Sequence, residues 1–135
     1  MRHLIKTLLL CIGSMLLLSG CMEKEKFVVY GATTQGKDVE IIVKDADYVE
    51  RATVIQFEDS MLVAVQIKPW RKWQKAKLEK KLQKQLDKKY PKQEILVSAD
   101  YKIFYEANKI KKEQLENTKL NERLTKLKEL AKEQT

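Results

Sequence analysis

Apolar and polar positions alternate along the chain in a way that sets out its elements. Leu8 to Leu18 is an almost unbroken apolar run behind Arg2 and Lys6, too short and wrongly flanked for a spanning helix. Phe27-Val28-Val29-Tyr30 reads as a short strand or a loosely packed segment, and Gly31 to Gly36 as loop. Residues 37–50 fit two periods: Val39, Ile42, Ala46 and Val49 have helical spacing, whereas Val39, Ile41 and Val43 alternate like a strand. Helix is preferred, because one face continues through Val49. Thr53–Phe57 and Met61–Ile67 are β-rich, and Glu58-Asp59-Ser60 between them makes a hairpin turn. In the second strand Met61, Val63, Val65 and Ile67 are expected to face the core, with Leu62, Ala64 and Gln66 on the other side. Pro69–Tyr90 is expected to be a helix, started by Pro69 and stopped before Pro91. Leu78, Leu82, Leu86 and Tyr90 form its stripe, with Trp70, Trp73 and Ala76 at its start. Glu94–Ser98 is a third strand. Asp100 is a plausible N-cap for a helix whose apolar face is Tyr101, Phe104, Tyr105, Ala107 and Ile110. Beyond Lys111 the chain is charged; Leu115, Leu120, Leu124, Leu127 and Ala131 give only a short heptad run. That segment reads as an exposed helical tail, available to a partner helix.

The N-terminal run ends in Leu18-Ser19-Gly20-Cys21, where small residues fit a signal-peptidase pocket. The stretch resembles the lipobox of bacterial lipoproteins. That resemblance implies cleavage before Cys21 and a thioether-linked diacylglycerol on it, with the protein on the extracytoplasmic face of the cell membrane. Two acyl chains suffice for stable anchoring, at about 0.8 kcal/mol per buried methylene. Cys11 and His3 lie ahead of the cut, so residues from Met22 on contain neither Cys nor His. A disulfide, a Cys/His dyad, a Ser-His-Asp triad and a His-based zinc site are thereby excluded. No enzymatic activity, cofactor or metal is expected.

The expected architecture is α+β: a small two-layer sandwich in the order α-β-β-α-β-α, with a three-stranded sheet and helices on one face. The domain plan is a signal peptide at 1–20, lipidated Cys21 and tether at 21–36, the α+β domain at 37–110 and the charged helical tail at 111–135.

Charge adds one feature. The chain of 135 residues has a formal charge of +8. Removing the signal, with Arg2 and Lys6, leaves +6. Between Trp70 and Tyr90 stand Arg71, Lys72, Lys75, Lys77, Lys80, Lys81, Lys84, Lys88 and Lys89, opposed only by Glu79 and Asp87, a local +7. The remainder is therefore close to neutral. Such a helix on a tethered domain suits anionic phospholipid headgroups, and Trp70 and Trp73 suit the interface. The plainer alternative is a solvated outer face with both tryptophans in the core. Nucleic acid is not an expected partner. Asp45, Asp47, Glu50, Glu58, Asp59, Asp100 and Glu106 match neither a catalytic pair nor a calcium loop, and read as caps and solvated turns.

Ala52-Thr53-Val54, Val63-Ala64-Val65 and Ile95-Leu96-Val97-Ser98-Ala99-Asp100 leading into Phe104, together with the lipobox, resemble the YhcN/YlaJ sporulation lipoproteins of spore-forming Bacilli. The likeness covers about residues 37–110. Val49-Glu50 replaces a Gly-Val pair, and the hairpin turn lacks the usual Asn and Gly. The resemblance implies a spore lipoprotein with a part in spore properties or germination, and brings no catalytic residues. The topology is also similar to that of BON domains, a fold-level analogy. Two functions compete: a domain that docks on anionic membrane or a partner protein, and an envelope interaction subunit that contacts other spore or envelope proteins through its C-terminal helix, with lipid serving only as anchor.

Overall fold

The structure is a computed structural model that describes residues 1–6, 26–31 and 36–134. The lipobox, the apolar run before it and part of the expected tether lie outside the described residues. From Phe27 the elements are β1 (Phe27–Tyr30), α1 (Gly36–Asp45), β2 (Val49–Phe57), β3 (Ser60–Ile67), a 3-10 turn (Pro69–Gln74), α2 (Lys75–Lys89), β4 (Glu94–Ser98), α3 (Tyr101–Glu113) and α4 (Asn117–Glu133). Helical residues 2–6 are exposed and bury nothing. Among the described residues every buried one lies between Val39 and Ala131, so residues 22–135 contain the whole described core.

The protein belongs to the α+β class, but the three-stranded sheet and the expected order are corrected. The sheet has four strands in the order β1-β2-β3-β4. β1 runs parallel to β2, β2 and β3 form the expected antiparallel hairpin, and β4 is parallel to β3. β1 pairs Phe27 with Ala52, far along the chain, a contact that local hairpin signals do not reveal. Residues 27–30 are thus part of the domain and not of a tether. Gly31 ends this strand at φ +105°, where a Cβ would sit 1.9 Å from the Gln56 carbonyl oxygen. Only glycine fits both the dihedral and the space.

Helices on one face is the second correction. β3 buries both of its faces. Met61, Val63, Val65 and Ile67 pack with Val39 and Val43 of α1 and with Leu78, Leu82 and Leu86 of α2. Leu62 and Ala64, with Ile55 of β2, pack against Ile103, Ala107 and Ile110 of α3 and Leu120, Leu124 and Leu127 of α4. The molecule is therefore three layers, helix–sheet–helix. A strand covered on both sides must be apolar at consecutive positions, which is what Met61–Val65 is.

The exposed tail is the third correction. Leu120, Leu124, Leu127 and Ala131 recur at helical spacing and are at most 5 % exposed. Each fully buried leucine contributes about 1.5–3 kcal/mol, so this stripe matters against a total stability of about 5–15 kcal/mol. Lys128, on the same side, is also buried. Its Nζ donates to Glu94 Oε1 at 2.9 Å, to Ser60 Oγ at 2.9 Å and to the Glu94 carbonyl at 3.0 Å. Three partners match the three N–H donors of an ammonium, and they pin α4 across the β3–β4 end.

Residues 37–50 divide between both readings: α1 ends at Asp45, and Val49 already belongs to β2. On α3, Tyr101 and Tyr105 are exposed, against the expectation of core positions, because Ile103, Phe104, Ala107 and Ile110 form the buried face. Asp100 does cap α3, its carboxylate accepting from the Lys102 and Ile103 backbone N–H groups.

Candidate membrane-contact surface

The expected helix from Pro69 begins instead as a 3-10 turn, and only Lys75 onward is α-helical. In 3-10 geometry residues three apart eclipse one another, so Trp70 and Trp73 leave the turn on the same side. They do not align with the Leu78–Leu82–Leu86 stripe. Trp70 is 69 % and Trp73 80 % exposed. Of the two readings open to the sequence, core or interface, the tryptophans are not core.

The nine cations follow the same logic. Arg71 is half-buried; Lys72, Lys75, Lys77, Lys80, Lys81, Lys84, Lys88 and Lys89 are exposed. At 3.6 residues per turn, Lys77, Lys80, Lys81, Lys84 and Lys88 make one ridge opposite the leucines. Of the helix's acidic residues, Glu79 lies on the flank toward β4, and Asp87 is exposed beside the ridge. Glu79 Oε2 accepts from Ala99 N at 2.6 Å. Asp87 accepts from Gln83, whose amide also donates to the Ile95 carbonyl and accepts from Val97 N. These contacts satisfy backbone groups along the outer edge of β4, where a bare strand would invite another chain. They also engage the Glu79 carboxylate at the strand edge and not at the lysine ridge. Among the described residues no ion pair joins any of the nine cations to a carboxylate. The pairs that form are elsewhere: Lys44 with Glu40, Lys109 with Glu106, Arg123 with Glu113, and Lys128 and Lys132 with Glu94.

Aromatic neighbours take up some of this charge. The Lys81 ammonium lies 5.7 Å from the Tyr48 ring centre, Lys89 5.9 Å from Tyr90 and Lys68 5.7 Å from Trp70. Tyr48 is buried beneath α2, and burial, then the nearby Asp47 charge, pushes its phenol above 10.0, so it stays neutral.

Strand pairing locates the tryptophan turn. Val49 faces Ile67, Phe27 faces Ala52, and Ser98 faces Ala64. The start of β1 and β2 and the finish of β3 and β4 therefore share one end of the sheet. Lys26, Lys68, Trp70 and Tyr101 all follow from strand ends gathered there. A groove lined by Lys26, Phe27, Val49, Glu50, Lys68 and Trp70 joins the first strand to the turn. A second groove, beside Tyr101, is lined by Lys72, Lys75 and Asp100 among others. Lys26 and Lys68 did not stand out in the sequence, and Tyr101 was expected in the core; strand pairing brings all three to one end of the sheet. Cys21 lies outside the described residues, five positions before Lys26. Five residues span at most about 18 Å.

The other acidic candidates are only partly the caps and turns expected, since Glu50 lies within β2. Asp100 caps α3, Glu58 adopts φ 51° in the hairpin turn, and Glu106 pairs with Lys109. Among the described residues no group of three His, Cys, Asp or Glu side chains is placed to hold a metal ion, and no helix is long and apolar enough to cross a membrane. No protein-family model, curated protein or solved structure matches the chain.

Proposed function

We propose that this chain is a lipid-anchored, non-enzymatic module that rests a cationic surface against anionic phospholipid on the extracytoplasmic side of a membrane. Cys21 carries the anchor in this reading. The observation that carries it is the lysine ridge of α2, exposed and without acidic partners among the described residues, next to two exposed tryptophans. A near-surface Lys or Arg contributes about 1 kcal/mol to attraction by anionic headgroups. A few such contacts turn a diffusing domain into a docked one. The setting of a spore membrane, with a role in spore properties or germination, comes from the resemblance to sporulation lipoproteins and is part of the proposal on that ground alone.

The rival reading makes the C-terminal helix a contact for a partner protein. It loses its main support because the α4 leucines pack on the sheet. What α4 offers outward is its polar side.

The test uses residues 22–135 without lipid, sedimented with vesicles of phosphatidylglycerol or of phosphatidylcholine at low and high salt. Pelleting with the anionic vesicles, weakened by salt, is expected. A protein that stays in the supernatant with both kinds of vesicle would sink the docking reading and leave lipid as an anchor alone.

A further inference from the structure

We infer that docking has a defined polarity: the end of the sheet bearing Trp70 and Trp73 enters the bilayer interface, while the α2 ridge supplies attraction from a distance. This rests on the membrane-docking reading just given. Three observations select that end. Both tryptophans are exposed there, and the 3-10 turn that carries them buries no side chain of its own. Tryptophan favours the headgroup level, where its ring is half apolar and its N–H can still find an acceptor. Lys68, Arg71, Lys72 and Lys75 flank the two rings.

The third observation is the chain itself. Lys26 and Phe27 line the same groove as Trp70, and the residues leading back to Cys21 leave from it. A reach of at most about 18 Å keeps this end close to an anchored Cys21. The far end of α2 is different. Lys89 lies 14 residues beyond Lys75, about 21 Å along a helix axis, and α2 leads away to the opposite end of the sheet, where Glu94 pairs with Ser60.

Charge alone would not choose the tryptophan end. Asp47 and Glu50 line the Trp70 groove, and Asp100, engaged in capping α3, lies beside Tyr101. The contact at this end therefore depends on aromatic burial, and the part of binding that survives salt resides there. The ridge, whose cations form no ion pair among the described residues, accounts for the part that salt removes.

The chain has two tryptophans, both in this turn, and five tyrosines, so emission excited beyond the tyrosine absorption band reports on this turn. Residues 22–135 would be titrated with phosphatidylglycerol vesicles with and without brominated acyl chains. The expected result is a blue shift of emission, quenching by the brominated lipid, and several-fold weaker binding for W70A and W73A, each checked for unchanged unfolding. K72Q and K75Q should each weaken binding about fivefold. If the protein pellets with anionic vesicles but its emission does not move, and W70A and W73A bind like the parent, the polarity inference is overturned while the docking reading stands. Loss of binding in the K77Q/K80Q/K84Q/K88Q variant alone would then assign contact to the ridge. If no vesicle binds, both fail together.

Discussion

α2 and α4 are built from similar material, a leucine stripe set in lysine, and the fold uses them differently. α2 covers one face of the sheet and keeps its lysines in solvent, with Glu79 bonded just past the end of β4 and Asp87 bonded to Gln83. α4 covers the other face and draws one lysine inward, where Glu94 and Ser60 receive it. The difference lies in where the acidic partner stands. Glu94, at the start of β4, is in reach of α4 and pairs with the buried Lys128 from the surface. Glu79 sits on α2 itself but serves the backbone at the end of β4. Leucine spacing tells which face of a helix is buried. It does not tell what the charges on that helix are for.

The comparison breaks most visibly if α4 is removed. Truncation before Asn117 uncovers Ile55, Leu62 and Ala64, and the protein should lose cooperative urea unfolding; a tail of no structural consequence would leave the transition where it was. Leu124→Ala and Leu82→Ala, one in each layer, should each cost about 2–5 kcal/mol. Next in size is the lysine contrast. Lys128→Ala strands the Ser60 hydroxyl and the Glu94 carbonyl and should cost about 1–3 kcal/mol, whereas Lys84→Ala on the ridge should stay within about 0.5 kcal/mol. Equal losses for the two variants would erase the distinction.

A smaller effect is expected from pH. The Lys128 hydrogen bond and charge hold the Glu94 carboxyl below its ordinary 4.5. A carboxyl depressed in the folded state binds protons less readily than in the unfolded chain. Its stabilisation is present above 4.5 and is lost as pH falls below 4.5 through the lowered folded value. Glu94 is largely exposed, so solvent screens much of this. The acid limb of a stability–pH curve should flatten slightly in Glu94→Gln, and an unchanged limb would count against the pairing. The smallest stability change belongs to K77Q/K80Q/K84Q/K88Q. Four mutually repelling cations removed from a solvated ridge should leave the urea midpoint unchanged or slightly higher, even as anionic vesicles lose their hold.

Much of this was legible in the chain. The hairpin, β4, the leucine stripe of α2 and the Asp100 cap all follow from short-range periodicity and capping chemistry, and all are present. The missing parts are those that depend on distant residues. β1 is four residues long and finds its partner only after α1 has passed. The second helical layer had a signal, the consecutive apolar positions Met61–Val65, which a strand with one wet face would not carry. Read with Leu120, Leu124, Leu127 and Ala131, that run requires a cover on each side. Trp70 and Trp73 were ambiguous for a different reason. Spacing of three fits an α-helical face and a 3-10 turn alike, and the two geometries direct the rings differently.

Strand β1 is the first described element after the proposed anchor, and it lies parallel to β2 through four residue pairs from Phe27↔Ala52 to Tyr30↔Ile55. A pull on the chain ahead of Lys26 acts along the strand and loads those pairs together. A hairpin in the same place would peel open one pair at a time. Gly31, seated against the Gln56 carbonyl, is the stop at the far end of the grip. In mechanical terms the domain is held in shear, and tension from a moving or bending membrane meets the strand's sideways resistance before it reaches either core.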